Sequence, residues 1–555
     1  MTNDNTNDNT TDSNESAGVP APEGPANLID TDYVIGQDNI AATKFGVDVD
    51  LHGKVFTFSA LVILAFVIIT LALQDQVGPV FEGLRAWLTS NISWFFLAGA
   101  NVFVLVSVGL IFTPLGKVRL GGQHAKPDFS YAGWFAMLFA AGMGIGLMYF
   151  GVSEPLAHFN SAIGGTSVEN GVRTDWAPLG AAGGNESGAI SLAMAATIFH
   201  WGLHPWAIYA VVALSLALFS FNKGLPLTMR SVFYPILGER VWGWPGHVID
   251  ILAVFATLFG LATSLGLGAQ QATAGLSYLF GIPGDEVTMV LLIVGITAVA
   301  LGSVTLGVDK GVQRLSQLNM IVAALLLLFV IIFGPTLFIV TGFFQFLASY
   351  VADLPALSNP FGREDANFSQ GWTAFYWAWW ISWSPFVGMF IARVSRGRTV
   401  REFLIAVLII PTLISVLWMT ALGGTAIDQV VNLGLENVAG ANGDLQLFEM
   451  LGNLPLGFIT SIIAIFLVIV FFVTSSDSGS LVIDAITAGG KVNAPKPQRM
   501  FWAIIEGAIA IALLLGGGLS ALQAMAVSAG FPFTIVLLIA CYAIIKGLMS
   551  EPRGA

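Results

Sequence analysis

Charge is scarce in this chain and cysteine is almost absent. Of 555 residues only 10% are Asp, Glu, Lys or Arg, and Cys541 is the one cysteine. A single cysteine excludes an internal disulfide and any cysteine-based metal or redox centre. The apolar stretches hold no nucleophile–base–acid set, so the chain is not expected to be an enzyme and needs no cofactor. With 22 Lys+Arg against 34 Asp+Glu, the net charge of −12 gives no sign of nucleic-acid binding.

What is there is hydrophobic: 55% of residues, with a mean hydropathy of +0.79. Twelve mainly apolar runs of ~17 or more residues are long enough to cross a bilayer. They lie near 55–73, 93–115, 130–150, 189–221, 247–279, 287–306, 318–345, 372–392, 403–423, 457–477, 500–517 and 526–546. The expected fold is an all-α polytopic membrane protein with twelve transmembrane helices. Basic residues set the orientation. With the N-terminus inside, 19 of 22 Lys+Arg fall on inner segments, leaving only Arg85, Arg173 and Arg363 outside. Both termini are therefore expected in the cytoplasm, and the basic inner loops also suit anionic lipid at the inner face.

Residues 1–52, rich in Asn, Asp, Thr and Gly, read as a disordered acidic tail. No cleavable leader is expected, since the first apolar run begins near residue 55. Helices 1–2 would occupy 53–129, helices 3–7 residues 130–346 and helices 8–12 residues 372–546. An external amphipathic segment at 347–371 and a short tail at 547–555 complete the expected organisation.

Two spans carry breaks. The third holds glycines at 142, 144 and 146, and the eighth holds Ser382-Trp-Ser-Pro-Phe386. Glycine weakens a helix by ~1 kcal/mol and proline by ~3. Freed backbone groups at membrane depth are tolerated only against protein or a water-filled cavity. The glycine run also suits close helix packing. The breaks lie five spans apart, as in a five-plus-five inverted repeat of helices 3–12.

The eighth span is also where aromatics gather: five of the fifteen tryptophans fall within 372–383. Trp372, Tyr376, Trp379, Trp380 and Trp383 share roughly a third of the helix circumference. An aromatic belt would sit at the membrane surface. Trp379–Trp383 instead lie ~10–16 Å into the span, where indole faces suit a quaternary ammonium. The fourth span adds Trp201, Trp206 and Tyr209, spread over ~140° of an ideal helix. His200 and His204 could in principle hold a metal but lack a visible third ligand, so structural roles are expected. Thr474 and Ser475 in the tenth span offer hard oxygens suited to sodium, or cap the helix.

The segments GMGIGLM (142–148), FHWGLHPWAIYA (199–210), SLGLGA (264–269), FYWAWWISWSPFVGMF (375–390), ARVSRGR (392–398) and TSSDS (474–478) run in order along the spans. Together they resemble the betaine/choline/carnitine transporter (BCCT) family, most closely its sodium-coupled glycine-betaine branch, from about residue 55 to 546. The resemblance implies a LeuT-like fold, a homotrimer in a bacterial plasma membrane, and an external helix at about Phe346–Leu357. It implies a substrate site with Trp379, Trp380, Trp383 and Phe375 around the cation. Backbone at Gly142, Met143, Gly144 and Gly146 would meet a carboxylate. Trp201, Trp206 and Tyr209 would line the access route, with Ser264 beside the site. One sodium ion, the coupling ion, would bind Ala140, Met143, Phe471, Thr474 and Ser475. A second would use Thr257 near Phe386, but its other threonine position is Leu261 here. Choline carriers tend to have an acidic residue where this chain has Gly146, so a zwitterion is expected: glycine betaine first, then ectoine, proline or carnitine. A sodium-independent exchanger, or a channel or sensor on the same scaffold, are the competing readings.

Overall fold

The computed structural model describes residues 19–44, 46–142, 144–164, 168–169, 172–173, 182, 184–306, 309–363 and 365–552. The chain is a bundle of long helices, and local chemistry explains their ends. Asn185 caps the helix α5 (Glu186–Trp201) by accepting from the Gly188 amide. Thr399 and Glu402 cap the helix α12 (Val400–Val431) reciprocally. The helix α7 (Trp244–Phe280) stops at Gly281, which takes a left-handed conformation at φ 66°.

Ahead of these lie α1 (Gly53–Ala72), α2 (Gln74–Phe112), α3 (Tyr131–Gly142) and α4 (Ile145–Ile163). α6 (Leu203–Ala217) continues the line of α5. After α7 come α8 (Glu286–Leu306), α9 (Asp309–Phe333), α10 (Thr336–Leu357) and α11 (Ala374–Val394). α13 (Gly457–Thr487) and α14 (Lys496–Met549) complete the set.

Ten helices among the described residues are long and apolar enough to cross a membrane, or eleven counting the α3–α4 pair, bent by 66°, as one span. α11 falls outside this number because Trp and Tyr contribute little hydropathy. The last two expected runs are two helices joined end to end, numbered together as α14, which meet where Gly517 and Gly518 leave helical geometry. Burial sorts the helices into two layers. The most apolar stretch of α5–α6 is 94% buried and that of α7 is 83% buried, against 22–33% for α1, α8, α9 and α10. The inner helices hold the site, and the outer ones present apolar side chains outward.

Two boundaries differ from expectation. The chain breaks at Gly334-Pro335, not near residue 346, so the helix expected at Phe346–Leu357 begins at Thr336. Pro335 cannot continue α9, which makes it the natural stop. The described part of the expected disordered tail is also ordered: β1 (Asn39–Lys44) pairs antiparallel with β2 (Val47–His52). This N-terminal segment crosses one face of the bundle. The Glu23 amide donates to Gly121 O at 2.8 Å and the Ile29 amide to Lys223 O at 3.1 Å. Asn39 Nδ2 donates to Ala488 O at 2.8 Å, and Lys491 pairs with Asp50 at 2.6 Å. The C-terminal Glu551 pairs with Lys223 at 2.5 Å, so both ends of the described chain meet on this face.

Beneath the segment, Arg230 and Asp250 form an ion pair at 3.2 Å with both side chains fully buried. Arg230 also donates to the Tyr33 hydroxyl at 2.8 Å and contacts His52 at 3.2 Å. Burial pushes the Tyr33 hydroxyl up to about 12. Burial, then the Arg230 charge, pushes His52 down to about 4.

Candidate functional site

The site forms where two broken helices meet α11. Between α3 and α4 the backbone leaves helical geometry, with Gly144 extended. Gly146 leaves room for the rings packed on it: a Cβ there would stand 2.8 Å from both the Trp201 and Trp379 indoles, which would have to shift. The second break is Gly202, between α5 and α6 (φ −98°, ψ −129°). A Cβ on Gly202 would lie 2.7 Å from Ile198 O and 3.1 Å from the Tyr350 hydroxyl. This break brings Trp201, Trp206 and Tyr209, scattered on an ideal helix, to one cavity.

That cavity is lined by Ala141, Trp201, Pro205, Trp206, Tyr209, Trp380, Trp383 and Ser415. The Trp201 and Trp380 rings meet edge to face at 4.9 Å, and Tyr209 approaches Trp380 at 6.3 Å. Trp379 stacks on Trp380 at 4.6 Å and Phe375 on Trp379 at 5.4 Å. Trp379 and Phe375 therefore back the cavity rather than line it. Ser264 holds Trp379 from behind, accepting its indole N–H at 3.2 Å. Two lining groups, Tyr209 Oη and Trp383 Nε1, are buried with no hydrogen-bond partner among the described residues. The result is an apolar, π-rich space with an unspent phenol hydroxyl and an unspent indole N–H, chemistry that fits a cation with an acceptor attached.

Ala141 and Trp383 are shared with a second cavity. It is lined by Ala140, Phe471, Thr474, Ser475 and Ser478 together with Phe386 and other apolar side chains. Four of the expected sodium residues are thus brought together. The fifth, Met143, lies outside the described residues. Thr474 Oγ1 currently donates to Val470 O at 2.9 Å. A third cavity shares Phe386, Phe390 and Ser478 and reaches Phe129, Arg393 and Val492. Free room grows from about 20 to 120 to 370 Å³ along this series. The path therefore widens toward the loops gripped by the N-terminal segment. Thr257 lines none of these cavities; its hydroxyl donates to Ala253 O at 2.7 Å. Leu261 packs against Gly479, where a Cβ would stand 2.3 Å from Leu261 Cδ1.

His200 and His204 do not act as a pair. His204 Nε2 lies 2.9 Å from Asn101 Oδ1. His200 instead joins Glu154 and His158, with ligand-type atoms all within 4.8 Å of one another. Both Glu154 oxygens are already engaged. Oε1 faces His200 Nδ1 at 2.6 Å and His158 Nε2 at 3.3 Å, while Oε2 accepts from Trp201 Nε1 at 2.7 Å and from the Tyr376 hydroxyl. His200 Nε2 contacts Thr373 Oγ1 at 3.0 Å. The arrangement is a hydrogen-bond hub that fixes Trp201 at the cavity rim. Glu154 escaped sequence reasoning, although an acidic residue inside an apolar run was itself a signal.

Comparison with known proteins identifies the family. The profile described as BCCT, the betaine/carnitine/choline family transporter, matches residues 54–553. A glycine betaine/proline/choline transporter of Vibrio parahaemolyticus is 66% identical over 541 residues, 98% of each chain. A glycine betaine/proline/choline/ectoine transporter of the same organism is 52% identical, covering 94% of this chain and 91% of its own. The Bacillus subtilis glycine betaine transporter is 43% identical, covering 86% and 91%. The chain is therefore a membrane transporter and not an enzyme, and it belongs to the betaine/carnitine/choline transporter family.

Proposed function

We propose that this protein is a symporter that imports glycine betaine with sodium by alternating access. The observation that carries the reading is the contiguity of two cavities: one walled by Trp201, Trp206, Tyr209, Trp380 and Trp383, the next by Thr474 and Ser475. The indoles and phenol suit a methylated ammonium. The free Trp383 N–H and Tyr209 hydroxyl suit the carboxylate of the same molecule. The hydroxyls and the Ala140 end of α3 suit sodium. With the basic loops inside, the widening path faces the cytoplasm and the termini lie there, as expected of an inward-open state in a bacterial plasma membrane. A LeuT-like repeat in helices 3–12 and a homotrimer belong to the same reading.

The 66% identical relative is named for glycine betaine, proline and choline, which adds choline to the range. Proline and choline belong on the candidate list, and Gly146 sets a preference for zwitterions rather than an exclusion of cations. Sodium supplies the drive. One ion crossing ~100 mV gains ~2.3 kcal/mol, and a tenfold gradient adds ~1.4. That supports roughly 10²–10³-fold accumulation per ion. Uptake of radiolabelled glycine betaine against a panel of unlabelled proline, choline, ectoine and carnitine tests the assignment. Glycine betaine should compete best, and a panel in which it competes worst would remove it as the substrate.

A further inference from the structure

A second carboxylate lies buried in the membrane-spanning part of the molecule, away from the aromatic cavity. Glu506 on α14 is fully buried. Its Oε2 accepts from Ser476 Oγ of α13 at 2.9 Å, while Oε1 has no hydrogen-bond partner among the described residues. Around Oε1 the walls are close and mostly apolar. A Cβ on Gly479 of α13 would stand 3.3 Å from it and 2.3 Å from the Leu261 methyl of α7. On the α8 side, Thr297 packs against neighbouring Gly507, its Oγ1 2.6 Å from where a Cβ would be. The charged groups that act on Glu506 are Asp477 of α13 and Arg499 of α14. They pair with each other at 2.9 Å.

A bare carboxylate oxygen in such surroundings is costly unless a positive charge meets it. Among the described residues no cationic side chain hydrogen-bonds it. Ionisable residues kept inside a membrane by default mark ion or proton pathways. α13 also links this spot to the path already described: Ser475 lines the second cavity, and its neighbour Ser476 bonds Glu506 from an adjoining face of the helix.

We propose that Glu506, with Ser476, forms a second monovalent-cation site between α7, α13 and α14, separate from the Thr474–Ser475 hydroxyls. Its occupant is sodium or a proton. The inference deepens the symport reading and rests on it for its readout. The test uses full-length wild type, E506Q, E506D and S476A in proteoliposomes. Initial glycine-betaine uptake is measured against sodium at fixed pH, and against pH at fixed sodium.

If the occupant is sodium, E506Q raises the half-maximal sodium concentration about tenfold, the factor that ~1.4 kcal/mol represents, and flattens the sodium curve. If it is a proton, E506Q keeps the sodium curve and loses the wild-type response to pH. E506D recovers part of either response, and S476A shifts it in the same direction as E506Q. An E506Q protein that transports with wild-type responses to both ions overturns the proposal. Should E506Q fail to insert, wild-type responses in both S476A and E506D overturn it equally. Wild-type uptake indifferent to sodium would sink the symport reading, and the pH arm would still judge Glu506.

Discussion

Trp380 sits at the centre of the aromatic site, stacked on Trp379 at 4.6 Å and met edge-on by Trp201 at 4.9 Å. Its indole N–H is tied to His200 O at 2.9 Å, so the ring orientation is set by the fourth span. A desolvated cation–π contact contributes up to ~2 kcal/mol, equivalent to ~30-fold in affinity. Trp380→Ala should therefore raise the glycine-betaine KM by about that factor while the protein still inserts and purifies. Wild-type KM in this variant would refute the assignment. At this scale much of the site was legible. Tryptophans at helical spacing, deep in a span, point to a cation by themselves. Glu154 and Glu506 were missed because a lone acidic residue breaks no periodicity, and their meaning comes largely from partners on other helices, Ser476 for Glu506 and His200, Trp201 and Tyr376 for Glu154.

Helix breaks decide which of those side chains meet. Gly202 turns the α5–α6 line so that Trp201, Trp206 and Tyr209 share one cavity. Treated as an unbroken helix, the same residues spread over ~140° and make no common face. Gly202→Ala places a methyl against Ile198 O and the Tyr350 hydroxyl. We expect it to lower the apparent betaine affinity and to lower thermal stability by ~1–3 kcal/mol, as overpacking does, read by uptake and by thermal unfolding in detergent. Unchanged values for both would show that the break is not held by that contact. The glycine run of α3–α4 was readable because three glycines alternate. Gly334-Pro335 was equally plain in composition, yet the apolar run continues past it, so hydropathy alone moved the boundary to the wrong place.

At the level of the whole molecule, the N-terminal segment ties together loops that precede or follow α3, α7, α11, α13 and α14. It bonds Gly121, Lys223 and Ala488 through hydrogen bonds, and Arg396 and Lys491 through ion pairs. Polar composition suggested disorder; the order comes from long-range partners such as buried Arg230, which local sequence does not display. His52 supplies a pH lever here. Arg230, His247 and Asp38 all face it, and burial with the Arg230 charge holds it near 4, below its usual 6.5. The unfolded or detached segment then binds more protons between those values, so attachment is full above about 6.5 and weakens as pH falls toward 4. Protection from hydrogen exchange over residues 19–52, measured relative to the intrinsic rate at each pH, should fall between pH 7 and 5, and His52→Gln should remove that change. An equal loss of protection in the variant would exclude His52 as the cause.

The proposed symport requires sodium to drive solute movement through the aromatic path. Wild-type protein in proteoliposomes, given an inward sodium gradient and labelled glycine betaine, tests this most directly. The prediction is accumulation well above equilibration that collapses when a sodium ionophore is added. Uptake that levels off at equilibration, with or without the gradient, would contradict it.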